Sequence, residues 1–215
     1  MYKNPYQNKS KFIVFEGLDA SGKSLRAKLL TDKLRKNSFN VVLTKEPTKN
    51  SKEGREIIKK LKGQKKVLDY KEFQKDYTKD RFKHIKNQII PSLKNGQIVI
   101  SDRYCFSTFA YGVASGVKLD YLYELNQDVL APDILVFVNT PVKVALKRIS
   151  KQSNKELFEK NKYLSKVFKV YQKSIKEFEE QISIIKKIKG NLDNKAKISD
   201  QIEKLFNLVN KGLKK

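Results

Sequence analysis

The sequence predicts an α/β fold whose parallel sheet is covered by helices on both faces, and three observations carry that expectation. Short, fully apolar runs recur along the chain; segments of helical spacing lie between them; and the polar residues with chemical potential sit where the apolar runs end. In chain order, "KFIVFEG" (11–17) is a β-branched and aromatic run closed by glycine, and "KSLRAKLLTDKLRKN" then sets Leu25, Leu29, Leu30 and Leu34 at helical spacing. "NVVLT" (40–44) reads as a second strand, followed by a loop holding Glu46 and Pro47 and by a helix through Ile57, Ile58 and Leu61. A long helical pattern runs from Tyr70 to Leu93 with a bend expected at Pro91, and "NGQIVISDRY" supplies a turn, a buried strand and a polar exit. Two helices should follow. "PDILVFVN" (132–139) is a fourth strand, "PVKVALKRI" (141–149) a helix with proline at its start, and "ISIIKKI" (182–188) a weaker fifth strand. A polar stretch from Ser150 to Lys155 leads into another long helix, and an amphipathic helix through Ile202, Leu205, Phe206 and Leu208 ends the pattern.

One domain over residues 1–215 is the default for this length, with residues 1–10 as a tail and 150–158 as a small mobile lid. No stretch approaches the roughly 18 apolar residues of a membrane span, and the start MYKNPYQNKS has no signal-peptide core, so a cytoplasmic protein is expected. Cys105 is the single cysteine and His84 the single histidine, which excludes internal disulfides and most metal sites built on those residues. Cys105 reads as a small packed residue, His84 as a solvated one. The net charge of +24 suggests a polyanionic partner, but the lysines are spread over nearly every helix, so only non-specific binding of nucleic acid is expected.

Ligands of parallel sheets gather at the carboxyl ends of the strands, where "EGLDASGKS", "TKEP", "SDRY" and "VNTP" should converge. The first contains Gly17-Leu18-Asp19-Ala20-Ser21-Gly22-Lys23-Ser24, which fits G-x-x-x-x-G-K-[ST] in the strand-to-helix context that motif requires. Glycines let the backbone curl so that successive N–H groups face phosphate oxygens, and the helix N-terminus adds partial positive charge. Lys23 is then placed on the β- and γ-phosphates of ATP and Ser24 on Mg²⁺. The loop does not say where the phosphoryl group goes. A GTPase would carry N-K-x-D after a later strand, which "VFVNTPVK" does not supply, and a motor or helicase would need more chain.

Asp102 and Arg103 leave the third strand side by side, suited to a carboxylate that orients Mg²⁺ or the acceptor and a guanidinium that clamps a phosphate. Tyr77 and Arg81 lie one turn apart on a helix, so a ring and a hydrogen-bonding fork could meet one flat ligand.

Together these residues resemble the thymidylate kinase family, P-loop enzymes that move the γ-phosphate of ATP to dTMP. "FIVFEGLDASGKS" is similar to that family's first strand and loop, "DRFKHIKNQIIPSLKNGQIVISDRYCFSTFAYG" to its D-R helix, third strand and D-R-Y-x-x-S-x-x-A-Y segment, and "PDILVFVNTPVKVALKR" to its fourth strand and next helix. The resemblance implies a P-loop NTPase fold with a five-stranded sheet, and a homodimer formed through helices on one sheet face. It gives Asp19 the deoxyribose 3′-hydroxyl, Tyr77 the stacking position, Arg81 a thymine carbonyl, Thr108 a base contact and Tyr111 a place beside the sugar. Asp102 serves Mg²⁺ or acceptor orientation, Arg103 holds the dTMP phosphate, and Arg148 lies against adenine. Bacterial relatives usually read A-Y-Q-G where this chain has Ala110-Tyr111-Gly112-Val113, so the glutamine that would read the pyrimidine edge is missing. Lys45 replaces the usual arginine of T-R-E-P, which keeps the charge and loses the fork, and Asn139 stands where Asp is common. Ala20 cannot supply the cation the family places after the acidic loop residue, which assigns that charge to Lys151 or Lys155 of the lid. Two alternatives stay open from sequence: a P-loop kinase with another nucleoside or monophosphate acceptor, and a nucleic-acid-binding P-loop ATPase.

Overall fold

The structure, a computed structural model, describes residues 1–149, 155–192 and 194–213, with side chains given outside 155–160. Five strands, β1 (Phe12–Glu16), β2 (Val41–Lys45), β3 (Ile98–Asp102), β4 (Ile134–Asn139) and β5 (Ile184–Lys189), form one sheet in the order β2-β3-β1-β4-β5. Every pairing is parallel: Phe15 faces Asp102 across β1 and β3, and Lys45 faces Asp102 across β2 and β3. All five strands therefore end at the same edge of the sheet.

Side chains alternate across each strand, and both faces are apolar because helices cover both. Phe12, Val14, Val99, Leu135 and Phe137 pack toward α5 (Cys105–Ala114) and α8 (Lys155–Glu177). Ile13, Phe15, Ile100, Val136 and Val138 pack on α1 (Lys23–Lys36) and α9 (Lys195–Leu213). Cys105 is fully buried in the first cluster, as expected of a small packed residue. The edge strand β5 carries exposed Lys186, Lys187 and Lys189, whose charges discourage pairing with another sheet. The remaining helices are α2 (Lys52–Leu61), α3 (Tyr70–His84), α4 (Ile90–Lys94), α6 (Leu119–Leu125) and α7 (Val142–Ile149). Ser51 caps α2 by accepting from Gly54 N at 2.8 Å, and Asp69 caps α3 by accepting from Lys71 N at 2.6 Å.

Two expectations need correction. The irregularity in the long helix precedes Pro91: Ile85–Ile89 form a π turn between α3 and α4. Proline has no N–H and crowds the carbonyl four residues back, and one wider turn accommodates both. His84 is not a solvated residue. It is buried on the sheet side of α3, with Nδ1 3.1 Å from Glu46 Oε1 and Nε2 2.8 Å from Thr44 Oγ1. The lysines around it in sequence, Lys79, Lys83 and Lys86, are exposed, whereas Asp80 and Arg81 share its buried face. Within residues 1–10, Tyr2 bridges to Leu130, and buried Asn4 donates to Asp133 Oδ2 at 2.7 Å.

Candidate active site

The loop between β1 and α1 is bent by its backbone. Gly17 has φ 148°, and a Cβ there would stand 2.8 Å from the Val138 carbonyl oxygen, so the close approach of β4 demands glycine. Ala20 (φ 57°) and Gly22 (φ 89°) also turn left-handed, and α1 opens from Gly22 with no side-chain cap. Its first N–H groups are thereby left for an anion. Leu18 and Ser21 of the loop are buried, whereas Asp19 and Ala20 are exposed.

Lys23 is buried, with Nζ 3.3 Å from the Leu18 carbonyl and 4.0 Å from Asp19 Oδ1. Burial, and next the charge of Arg103, lower its ammonium to about 8, against the pull of Asp19, Asp102 and Glu16. Ser24 Oγ donates to Asp102 Oδ2 at 2.5 Å, and Lys45 Nζ lies 3.6 Å from the same oxygen. The other Asp102 oxygen, Oδ1, is buried without a hydrogen-bond partner. A hydroxyl and a partly unpaired carboxylate at the phosphate loop are hard oxygen donors of the kind Mg²⁺ takes, so these residues fit that ion. Arg148 Nη1 donates to the carbonyls of Ala20 at 3.2 Å and Gly190 at 2.9 Å, which seats it against the outside of the loop.

Arg103 is fixed by the end of β3. Its N–H donates to Phe15 O at 2.9 Å, its φ is 80°, and its guanidinium donates to Ser107 Oγ at 2.9 Å and pairs with Asp19 Oδ1. The guanidinium carbon lies 5.2 Å from the centre of the Tyr111 ring. The Tyr111 hydroxyl donates to Asp19 Oδ2 at 3.0 Å and accepts from Asp19 N at 3.1 Å. Burial pushes the Asp19 carboxyl up, but Arg103, Lys23 and Tyr111 together outweigh it and hold the group below the usual carboxylate range.

Sequence reasoning missed the support beneath this bridge. Glu16, fully buried at the end of β1, accepts from Tyr104 N at 2.8 Å, Ser107 N at 3.0 Å, Ser107 Oγ at 2.7 Å and Tyr171 Oη at 3.0 Å. Burial raises its carboxyl while Arg103 and these donors pull the other way. The available signal was a lone carboxylate ending an otherwise apolar strand.

Beyond the bridge opens a cavity of about 860 Å³, lined by Asp19, Lys45, Tyr77, Arg103, Thr108 and Tyr111 together with Phe73, Gln74 and Tyr163. It is large enough for a mononucleotide, which falls within the usual range of ligand pockets. The structure thus brings together all but one of the residues read from sequence as acceptor contacts. The exception is Arg81, 1% exposed and absent from the cavity lining. It stands behind the wall, donating to Glu46 Oε2 at 2.9 Å, Asn126 Oδ1 at 2.7 Å and Thr108 Oγ1 at 3.1 Å. Lys151 and the side chain of Lys155, the lid cations of the sequence reading, lie outside the described residues.

Comparison with known proteins bears on this geometry. Residues 15–198 match the family model described as thymidylate kinase. A probable thymidylate kinase of Thermococcus onnurineus is 39% identical over 72% of this chain and 78% of its own length. Another from Methanococcus aeolicus is 37% identical over 78% and 81%, and a thymidylate kinase of Brachyspira hyodysenteriae 34% over 76% and 80%. No described helix is long and apolar enough to cross a membrane.

Proposed function

The chain belongs to the thymidylate kinase family, and from that premise we propose that it transfers the γ-phosphoryl group of ATP to dTMP, giving ADP and dTDP. The observation that carries this reading is the Asp19–Arg103–Tyr111 bridge. It joins a phosphate loop to a nucleotide-sized cavity, so a donor phosphate and an acceptor phosphate can meet at one point.

Each role follows from the chemistry of its residue. The N–H groups of residues 17–24 cradle the ATP phosphates, Lys23 neutralises them, and Arg148 lies on the adenine side of the loop. Ser24 and Asp102 hold Mg²⁺, which when bound shields the charge of the phosphates. Arg103 clamps the dTMP phosphate by exchanging its pairing with Asp19 for a stronger charge-assisted contact, and Lys45 adds a point charge from β2. Asp19, released, accepts the sugar hydroxyl, with Tyr111 beside it. Tyr77 and Thr108 line the cavity toward the base. Transfer then requires little covalent participation by the protein: positioning and charge neutralisation supply the acceleration. Lys151 and Lys155 remain the proposed cations on the transferring group, and a homodimer the proposed assembly.

A coupled assay of ADP release with dTMP, dUMP, dCMP, AMP, GMP and thymidine tests the reading. Stimulation by dTMP above the others is the expected result. Preference for thymidine would make the chain a nucleoside kinase instead, and stimulation by DNA alone would support the ATPase alternative.

A further inference from the structure

Several buried side-chain polar atoms in the described residues lack a hydrogen-bond partner, and of these only Gln74 Oε1 belongs to a residue lining the 860 Å³ cavity. Gln74 is 3% exposed. A buried carboxamide oxygen left unpaired costs on the order of 1–3 kcal/mol, so such an atom on a residue that lines a ligand cavity points to a donor supplied by the ligand. The residue precedes Tyr77 by one helical turn on α3, which brings an amide and an aromatic ring to the same wall. Its position depends on α5. A Cβ at Gly112 would stand 2.7 Å from Leu122 Cδ1 and 3.3 Å from Gln74 Cδ, so the amide packs closely against the bare backbone of α5.

Resting on the acceptor reading of this cavity, we propose that Gln74 reads the pairing edge of the base and is a specificity-determining residue. A carboxamide presents an acceptor and a donor side by side, the complement of a ring N–H flanked by a carbonyl. Thr108 fixes the polarity. Its Oγ1 accepts from Arg81 Nη2 at 3.1 Å, which leaves its own proton for an oxygen in the cavity. Carbonyl-bearing thymine or uracil satisfies Thr108 and Gln74 together. Cytosine, with an unprotonated ring nitrogen and an amino group, does not.

Steady-state kinetics of the full chain and of Gln74→Met, with dTMP and dCMP as acceptors, tests this. Methionine keeps the volume and removes both hydrogen-bonding atoms. The variant should lose about tenfold or more in kcat/KM for dTMP, chiefly through KM, and the dTMP to dCMP ratio should narrow by a similar factor. KM for ATP and the melting temperature should not fall, because no protein partner is lost. An unchanged ratio, or equal losses on both acceptors, would overturn the role of Gln74 while leaving the acceptor site standing. Failure of the wild-type chain to phosphorylate dTMP or dCMP would overturn the acceptor reading itself. Gln74→Ala, which cannot crowd the cavity, should give the same narrowed ratio and serves if the methionine variant misfolds.

Discussion

At the residue scale Lys23 shows how a binding group is kept ready at a cost in stability. Its folded value of about 8 lies below the ordinary 10.5, so the unfolded chain holds the proton more tightly throughout that interval. Stability therefore rises with pH from about 8 to 10.5, and below that window the full penalty of a buried charge is carried. Two outcomes follow for Lys23→Met: phosphoryl transfer falls by at least about a hundredfold, as loss of a charged phosphate contact implies, while the melting temperature at neutral pH stays level or rises. The rise in stability between pH 8 and 10.5 should also be smaller in the variant. Thermal unfolding across that range measures both, and a variant several degrees less stable than wild type would contradict the assignment. ATP binding should restore the lysine's proton, so calorimetry above pH 8 in buffers of different ionisation enthalpy should register proton uptake.

At the element scale the decisive contact is Arg81, which ties α3 to the loop after β2 through Glu46, to α5 through Thr108 and to the end of α6 through Asn126. Removing one partner of a buried ion pair strands the other. Arg81→Met should accordingly lower the unfolding free energy by about 3–5 kcal/mol, and the double variant Arg81→Met/Glu46→Leu should recover a large part of it. Denaturant unfolding checks both, and a loss below about 1 kcal/mol would show the contact to be dispensable. The same helix shows where sequence reading stops. Spacing placed Tyr77 and Arg81 on one face, but one turn of depth separates a cavity wall from the layer behind it. Gln74 was silent in sequence because the groups around it, Gly112 of α5 and the other cavity-lining residues, come from distant parts of the chain. His84 was misread because its partners, Glu46 and Thr44, arrive from β2 and the loop after it. By contrast the strands, the phosphate loop and the Asp102–Arg103 exit were legible, since apolar period and glycine placement are local properties.

At the scale of the whole molecule, the parallel sheet gathers segments far apart in sequence onto one edge, so Asp19, Lys45 and Arg103 meet there. The charge of +24 is a separate property, carried by lysines across the surface. It should give duplex DNA binding near roughly 50 mM salt that disappears by roughly 0.5 M, with ADP formation indifferent to the DNA. Filter binding and the kinase assay together check this, and DNA-stimulated ATP hydrolysis would contradict it. The central claim, that loop and cavity are two halves of one phosphoryl-transfer site, is tested most directly by ADP release with and without dTMP. The account predicts ADP formation that depends on dTMP, with stoichiometric dTDP, and that falls about a hundredfold in kcat/KM for dTMP when Arg103 becomes alanine. ADP formation unaffected by any nucleoside monophosphate, or an Arg103→Ala variant with unchanged kinetics, would contradict it.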